Sequence, residues 1–140
     1  MKASSIFAPM LALMLLTLVV WIYMYARRIP FILKNRLTPA QLTASELARL
    51  SPAAVSNPSD NLKNLFELPV LFYALVLFLY VTGRVDEVYV VAAWGFVFFR
   101  VLHSAMHCTR NIVTVRFWLY FLAALELWFM LLRSVWQVLS

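Results

Sequence analysis

Val90-Val91-Ala92-Ala93-Trp94-Gly95-Phe96-Val97-Phe98-Phe99-Arg100-Val101-Leu102-His103-Ser104-Ala105-Met106-His107 is apolar almost throughout, yet carries three nitrogen-rich side chains towards its end. Arg100, His103 and His107 stand at offsets of zero, three and seven, so a helix presents all three on one face. A run of this length and composition reads as a membrane span. A cationic side chain at membrane depth is costly and marks a functional site or a buried partner.

The rest of the chain sets the same context. Of its 140 residues 64% are hydrophobic and 13% charged, and the mean hydropathy is +0.84. A soluble domain is about half apolar and about a quarter charged, so this is an integral membrane protein. Two glycines and the absence of alternating strands separated by turns exclude a barrel. The fold class is all-α, a bundle of four transmembrane helices forming one domain over 1–140. The net charge of +6 is a matter of topology and lipid headgroups, and nucleic acid is not an expected partner. A single cysteine, Cys108, excludes an internal disulfide framework.

Four apolar spans emerge, at about 5–26, 61–82, 88–106 and 115–139, each close to the ~20 residues that cross the hydrocarbon core. No small-residue cleavage site follows the first, which therefore reads as a retained helix. The second and third spans are joined tightly through Gly83-Arg84-Val85-Asp86-Glu87, and the third and fourth through a short link at 108–114. Only the first connection, 27–60, is long. Arg27, Arg28, Lys34, Arg36, Arg49, Lys63, Arg110 and Arg116 lie on the side of that loop, against Lys2, Arg84 and Arg133 on the other. The positive-inside rule puts the loop in the cytoplasm and both termini outside. Within it, Thr38-Pro39-Ala40-Gln41 has the pattern of a helix start, and Leu42, Leu47 and Leu50 suit a short helix resting on the membrane surface. Ser56-Asn57-Pro58-Ser59-Asp60 reads as the cap of the second span.

Asp60, Asn64 and Glu67, spaced by four and three, form a polar stripe on the second span, flanked by Lys63. The third span runs the other way and brings Arg100, His103 and His107 to the same end, where Arg116 opens the fourth. Unpaired, each group would cost several kcal/mol in hydrocarbon, so a polar pocket or a set of mutual pairs is expected, Arg100 with Glu67 among them. Glu126, near the middle of the fourth span, is a separate case with an expected structural role. The spacing of His103 and His107 also suits two metal or haem ligands, with Cys108 and Glu67 as further candidates. Paired histidines in a polar pocket more often hydrogen-bond or exchange protons, and no metal is assigned.

Asn64-Leu65-Phe66-Glu67-Leu68-Pro69, Arg100-Val101-Leu102-His103 and the spacing from Arg100 to Arg116 resemble the MAPEG family, membrane-associated proteins in eicosanoid and glutathione metabolism. The resemblance covers nearly the whole chain and implies a divergent, bacterial-type member of an inner membrane. It implies a homotrimer with sites between subunits, near the cytoplasmic face. It implies glutathione or a related thiol as cofactor and a lipophilic small molecule drawn from the lipid bilayer as substrate. Carried onto this chain, Asn64 and Glu67 hold the thiol peptide, Arg100 and His103 line the site, and Arg116 is the catalytic group that stabilises the thiolate. Where glutathione-binding members carry an arginine one turn before the Asn, this chain has Asp60, with Lys63 as a partial substitute. Leu68 and His107 stand where tyrosines are common, and His107 joins the lining. The activity implied is a thiol-dependent transferase or peroxidase. The alternative is a lipid-binding or scaffolding protein of the same fold, since the family also contains non-catalytic members.

Overall fold

In a computed structural model describing residues 2–140, six α-helices follow one another: α1 (Phe7–Lys34), α2 (Ala44–Leu50), α3 (Ala53–Asn64), α4 (Leu68–Val81), α5 (Glu87–Cys108) and α6 (Val113–Leu139). Short 3-10 turns precede α1 and α2. By length and composition, four helical stretches can cross a membrane: Ala3–Lys34, Ala53–Val81 (α3 with α4), Glu87–Cys108 and Val113–Leu139. The protein is thus an all-helical, multi-pass membrane protein.

Helix ends follow local chemistry rather than the apolar limits alone. α1 continues past Ala26 through Pro30 to Lys34. Its extension is held against α3, where Arg28 Nη2 donates to Ser59 Oγ at 2.7 Å. The second span begins at Ala53 with Pro52 as its cap, so Ser56–Asp60 is helix interior and not a start signal. Pro58, the sixth residue of α3, has no N–H to return to Ala54 O, and that carbonyl instead accepts from Arg27 Nε at 3.5 Å. In the loop, Thr38 and Gln41 do form the expected reciprocal cap, with Thr38 N–H donating to Gln41 Oε1 at 2.9 Å. It closes only a single 3-10 turn, and the helix proper starts at Ala44. Leu47 packs inward while Leu42 stays exposed.

The α4–α5 hairpin turns through Gly83, whose φ of +67° lies where glycine is favoured. Arg84 N–H returns to Leu79 O at 2.9 Å and Gly83 N–H to Tyr80 O at 3.2 Å, closing α4 with the paired bonds of a left-handed helix cap. This is the turn end of the bundle. The opposite, loop end carries α2 and the α5–α6 link.

α5 is the central element: it packs along most of α6 and also against α1 and α3. Small residues suit the close α5–α6 approach: Ala92 and Ala93 of α5 and Ala123 and Ala124 of α6 are all buried. Gly95 serves the same contact, since a Cβ there would stand 3.0 Å from Glu126 Oε1. Glu126 therefore lies across a glycine notch between the two helices. Phe72 of α4 stacks on Phe96 of α5 at 4.7 Å between ring centroids, at the heart of the core.

Candidate functional site at the loop end

α3, α5 and α6 each bring a polar face to the loop end, and the core there is hydrogen-bonded instead of greasy. Arg100 is fully buried, and His103, His107, Ser104 and Asn61 are buried beside it. Arg100 donates from Nη1 to Asn64 Oδ1 at 3.1 Å and from Nη2 to Asn64 O at 2.9 Å. The expected partner Glu67 forms no ion pair with it. Ser104, one turn beyond Arg100, donates to Asn61 Oδ1 at 3.3 Å, and Asn61 Nδ2 reaches Cys108 Sγ at 3.4 Å.

His103 links this layer to α6. Its Nδ1 stands 3.0 Å from Arg116 O. A carbonyl only accepts, so Nδ1 carries the proton and a neutral ring leaves its lone pair on Nε2. The His107 ring lies perpendicular to that of His103, 5.6 Å away between centroids. Tyr120, one turn beyond Arg116, covers both neighbours: its ring centre is 5.8 Å from that of His103 and 5.7 Å from Arg100 Cζ. Arg116 is half-buried, and its Nη1 donates to Asn111 Oδ1 at 2.7 Å. Asn111 in turn donates to Asn57 Oδ1 at 3.1 Å, and holds a φ of +48° that asparagine accepts more readily than most residues.

Asn64, Arg100, His103, His107 and the backbone of Arg116 thus come together. The side chains of Glu67 and Lys63 form no hydrogen bond or ion pair with them. Glu67 is exposed, because the second span breaks at Leu65–Glu67 and so does not carry the stripe of Asp60 and Asn64 onward. Lys63 is exposed and pairs with Asp60 at 3.1 Å. Three buried nitrogens on α5 have no protein partner: Arg100 Nε, His103 Nε2 and His107 Nδ1. Among the described residues no group of three His, Cys, Asp or Glu is placed to hold a metal ion.

The sequence reading missed Asn61, Ser104, Asn111 and Tyr120. Three of these had a visible signal: Asn61 precedes Asn64 by three, Ser104 follows Arg100 by four and Tyr120 follows Arg116 by four, all same-face spacings.

The family model for MAPEG matches residues 6–136, nearly the full chain. The chain belongs to the MAPEG family. No curated protein and no solved structure matches it. MAPEG proteins are membrane proteins that include glutathione-dependent transferases and peroxidases and others. In this MAPEG chain the motif residues fall into two sets, a sealed set around Arg100 and a half-open set of Glu67, Lys63 and Arg116. Among the described residues, the grooves around the bundle include three of note. One of about 530 Å³ is almost wholly apolar and runs between α4 and α6. Another of about 410 Å³ is flanked by Glu87 and Glu126. A third of about 260 Å³, under α2, holds Arg28, Asp60 and Lys63. None of the three includes Asn64, Glu67, Arg100 or Arg116.

Proposed function

We propose that this MAPEG protein is a membrane-embedded enzyme that uses glutathione or a related thiol against lipophilic substrates, as a transferase or a peroxidase. Arg116 carries the reading. Its guanidinium is held in place by Asn111 through one nitrogen, remains half-exposed at the loop end, and keeps further N–H groups free. A thiol of pKa about 8.5 is largely protonated at neutral pH. A permanent cation at the sulfur favours the thiolate, which is the nucleophile. In a transferase the thiolate adds to an electrophilic carbon. In a peroxidase two thiols become a disulfide while the hydroperoxide becomes an alcohol and water.

Asn64 and Glu67 hold the peptide in this reading, with Lys63 as a second cation, and Arg100, His103 and His107 form the wall behind them. The site lies between protomers of a homotrimer, at the cytoplasmic side of a bacterial inner membrane, with both termini outside. One observation supports the assembly: Glu67, given the peptide to hold, is exposed in a single protomer.

The test is turnover by the purified full-length protein with glutathione and either a generic electrophile or a lipid hydroperoxide. The expected result is thiolate absorbance on adding glutathione, followed by conjugate or alcohol formation. Neither thiolate nor turnover with any acceptor overturns the reading. The apolar α4–α6 groove, together with Asp60 tied to Lys63 where glutathione-binding members have an arginine, favours a second reading as a non-catalytic lipid-binding protein. That reading expects lipid to co-purify stoichiometrically and to remain after Arg116→Ala.

A further inference from the structure

Pro69 interrupts the second span. It has no N–H to return to Leu65 O, and its ring crowds the carbonyl that a continuous helix would place there. Ahead of it the ladder tightens: Phe66 N–H reaches Lys63 O at 2.9 Å, and Glu67 N–H reaches Asn64 O at only 3.4 Å. Glu67 leaves helical geometry altogether, with φ −94° and ψ −109°, before α4 resumes at Leu68. Within a membrane span, a carbonyl loosened from the ladder needs a donor from elsewhere in the protein.

Arg100 is that donor. Nη2 takes the backbone carbonyl of Asn64, the last residue of α3, and Nη1 takes its side-chain carbonyl. One guanidinium thereby ties the end of the helix and the rotamer of its last residue to α5. A cation at a helix C-terminus is also favoured by the helix dipole. Arg100 is fully buried with both Nη groups engaged, whereas Glu67, three residues after Asn64, is exposed.

We propose that Arg100 is a positioning residue: it caps the interrupted helix and, through Asn64 and Glu67, sets the geometry of the thiol-peptide site without touching the peptide. The second half rests on the thiol-dependent reading above. The requirement is for a fork, since lysine offers a point charge that cannot grip two oxygens of one residue in a fixed plane.

Two measurements on the full-length protein decide it. The first is a glutathione titration of Arg100→Lys, read by thiolate absorbance. Loss of one charge-assisted bond to Asn64 raises Kd about tenfold or more, with the number of sites and the thiolate signal at saturation unchanged. An unchanged Kd with fewer sites marks a merely structural residue and overturns the positioning role. A lost thiolate signal at saturation marks direct contact with the sulfur and overturns it too. The second is a thermal-unfolding cycle with Pro69→Ala, which lets the ladder close without help. The Tm loss caused by Arg100→Lys should fall by at least half in that background, and an equal loss in both overturns the cap. A wild-type protein that shows no thiolate overturns the thiol reading, while the unfolding cycle still decides the cap.

Discussion

The two ends of the α5–α6 pair solve the same problem in opposite ways. At the turn end, Asp86 accepts two bonds from Arg133, at 3.0 and 2.6 Å, and also caps α5 by accepting from Tyr89 N–H at 3.1 Å. The Arg133 guanidinium covers the Tyr89 ring at 4.3 Å. The Tyr89 hydroxyl pairs with Ser134 and Gln137, and Arg84 closes the set on the Gln137 carbonyl at 2.6 Å. Nothing buried in that cluster lacks a partner. At the loop end, Arg100, His103 and His107 each keep a buried nitrogen unpaired. A fully satisfied polar network is a means of holding helices together; a partly satisfied one costs stability and persists where it serves something else. The turn end is a clasp, and the loop end is where we propose the site.

That contrast is broken most directly by exchanging the consequences of substitution. Arg116→Ala at the loop end should lower turnover by about a hundredfold or more while the Tm of the assembled protein stays near that of wild type. Steady-state kinetics beside a melting curve read both. Equal loss of activity and stability would make Arg116 part of the scaffold.

Between the two ends lies Gly95, and it shows how closely the clasped helices approach. Gly95→Leu places side-chain carbon where Glu126 now lies, with the first atom 3.0 Å from Oε1 and 3.1 Å from Cδ. Overpacking of this kind costs about 1–3 kcal/mol. Thermal unfolding should show the loss, and Glu126→Ala in the same chain should recover most of it by clearing the notch. No recovery would mean that the backbone of α6, and not the carboxylate, limits the approach.

Most of the fold was legible in the sequence because a membrane span is written in composition and length. The four spans follow from apolar length, the tight α4–α5 turn from its short polar link, and the shared face of Arg100, His103 and His107 from helical periodicity. The break at Leu65–Glu67 was not read, although Pro69 stood in view, because the stripe of Asp60, Asn64 and Glu67 assumed an unbroken helix. That error paired Arg100 with Glu67, a charge, where the structure pairs it with Asn64, an amide and its own carbonyl. The clasp was hidden for a different reason. Asp86 and Arg133 are 47 residues apart, and only the antiparallel packing of α5 on α6 brings them together.

The clasp itself offers the smaller effects. Arg133→Met leaves Asp86 with its cap but without its cation. The side chains of this pair are 23% and 41% exposed, so solvent screens them and the loss is about 1 kcal/mol. Activity with the thiol should not change, and a shift in the Kd for glutathione would show that the two ends are coupled.

The pH dependence of the same pair is the finest discriminator. The hydrogen bonds from Arg133 hold the Asp86 carboxyl below its ordinary value of 3.8, with the Tyr89 backbone N–H adding to the effect. A carboxyl depressed in the folded state binds protons more readily once unfolded. Its stabilisation is therefore complete above the ordinary value and drains away as pH falls from there through the lower folded value. Wild type should lose Tm on acidification through that window more steeply than Arg133→Met, and the two curves should draw together at its acid end. Parallel curves would mean that the ion pair contributes nothing that titrates, and that the stacking of Arg133 on Tyr89 alone closes the turn end.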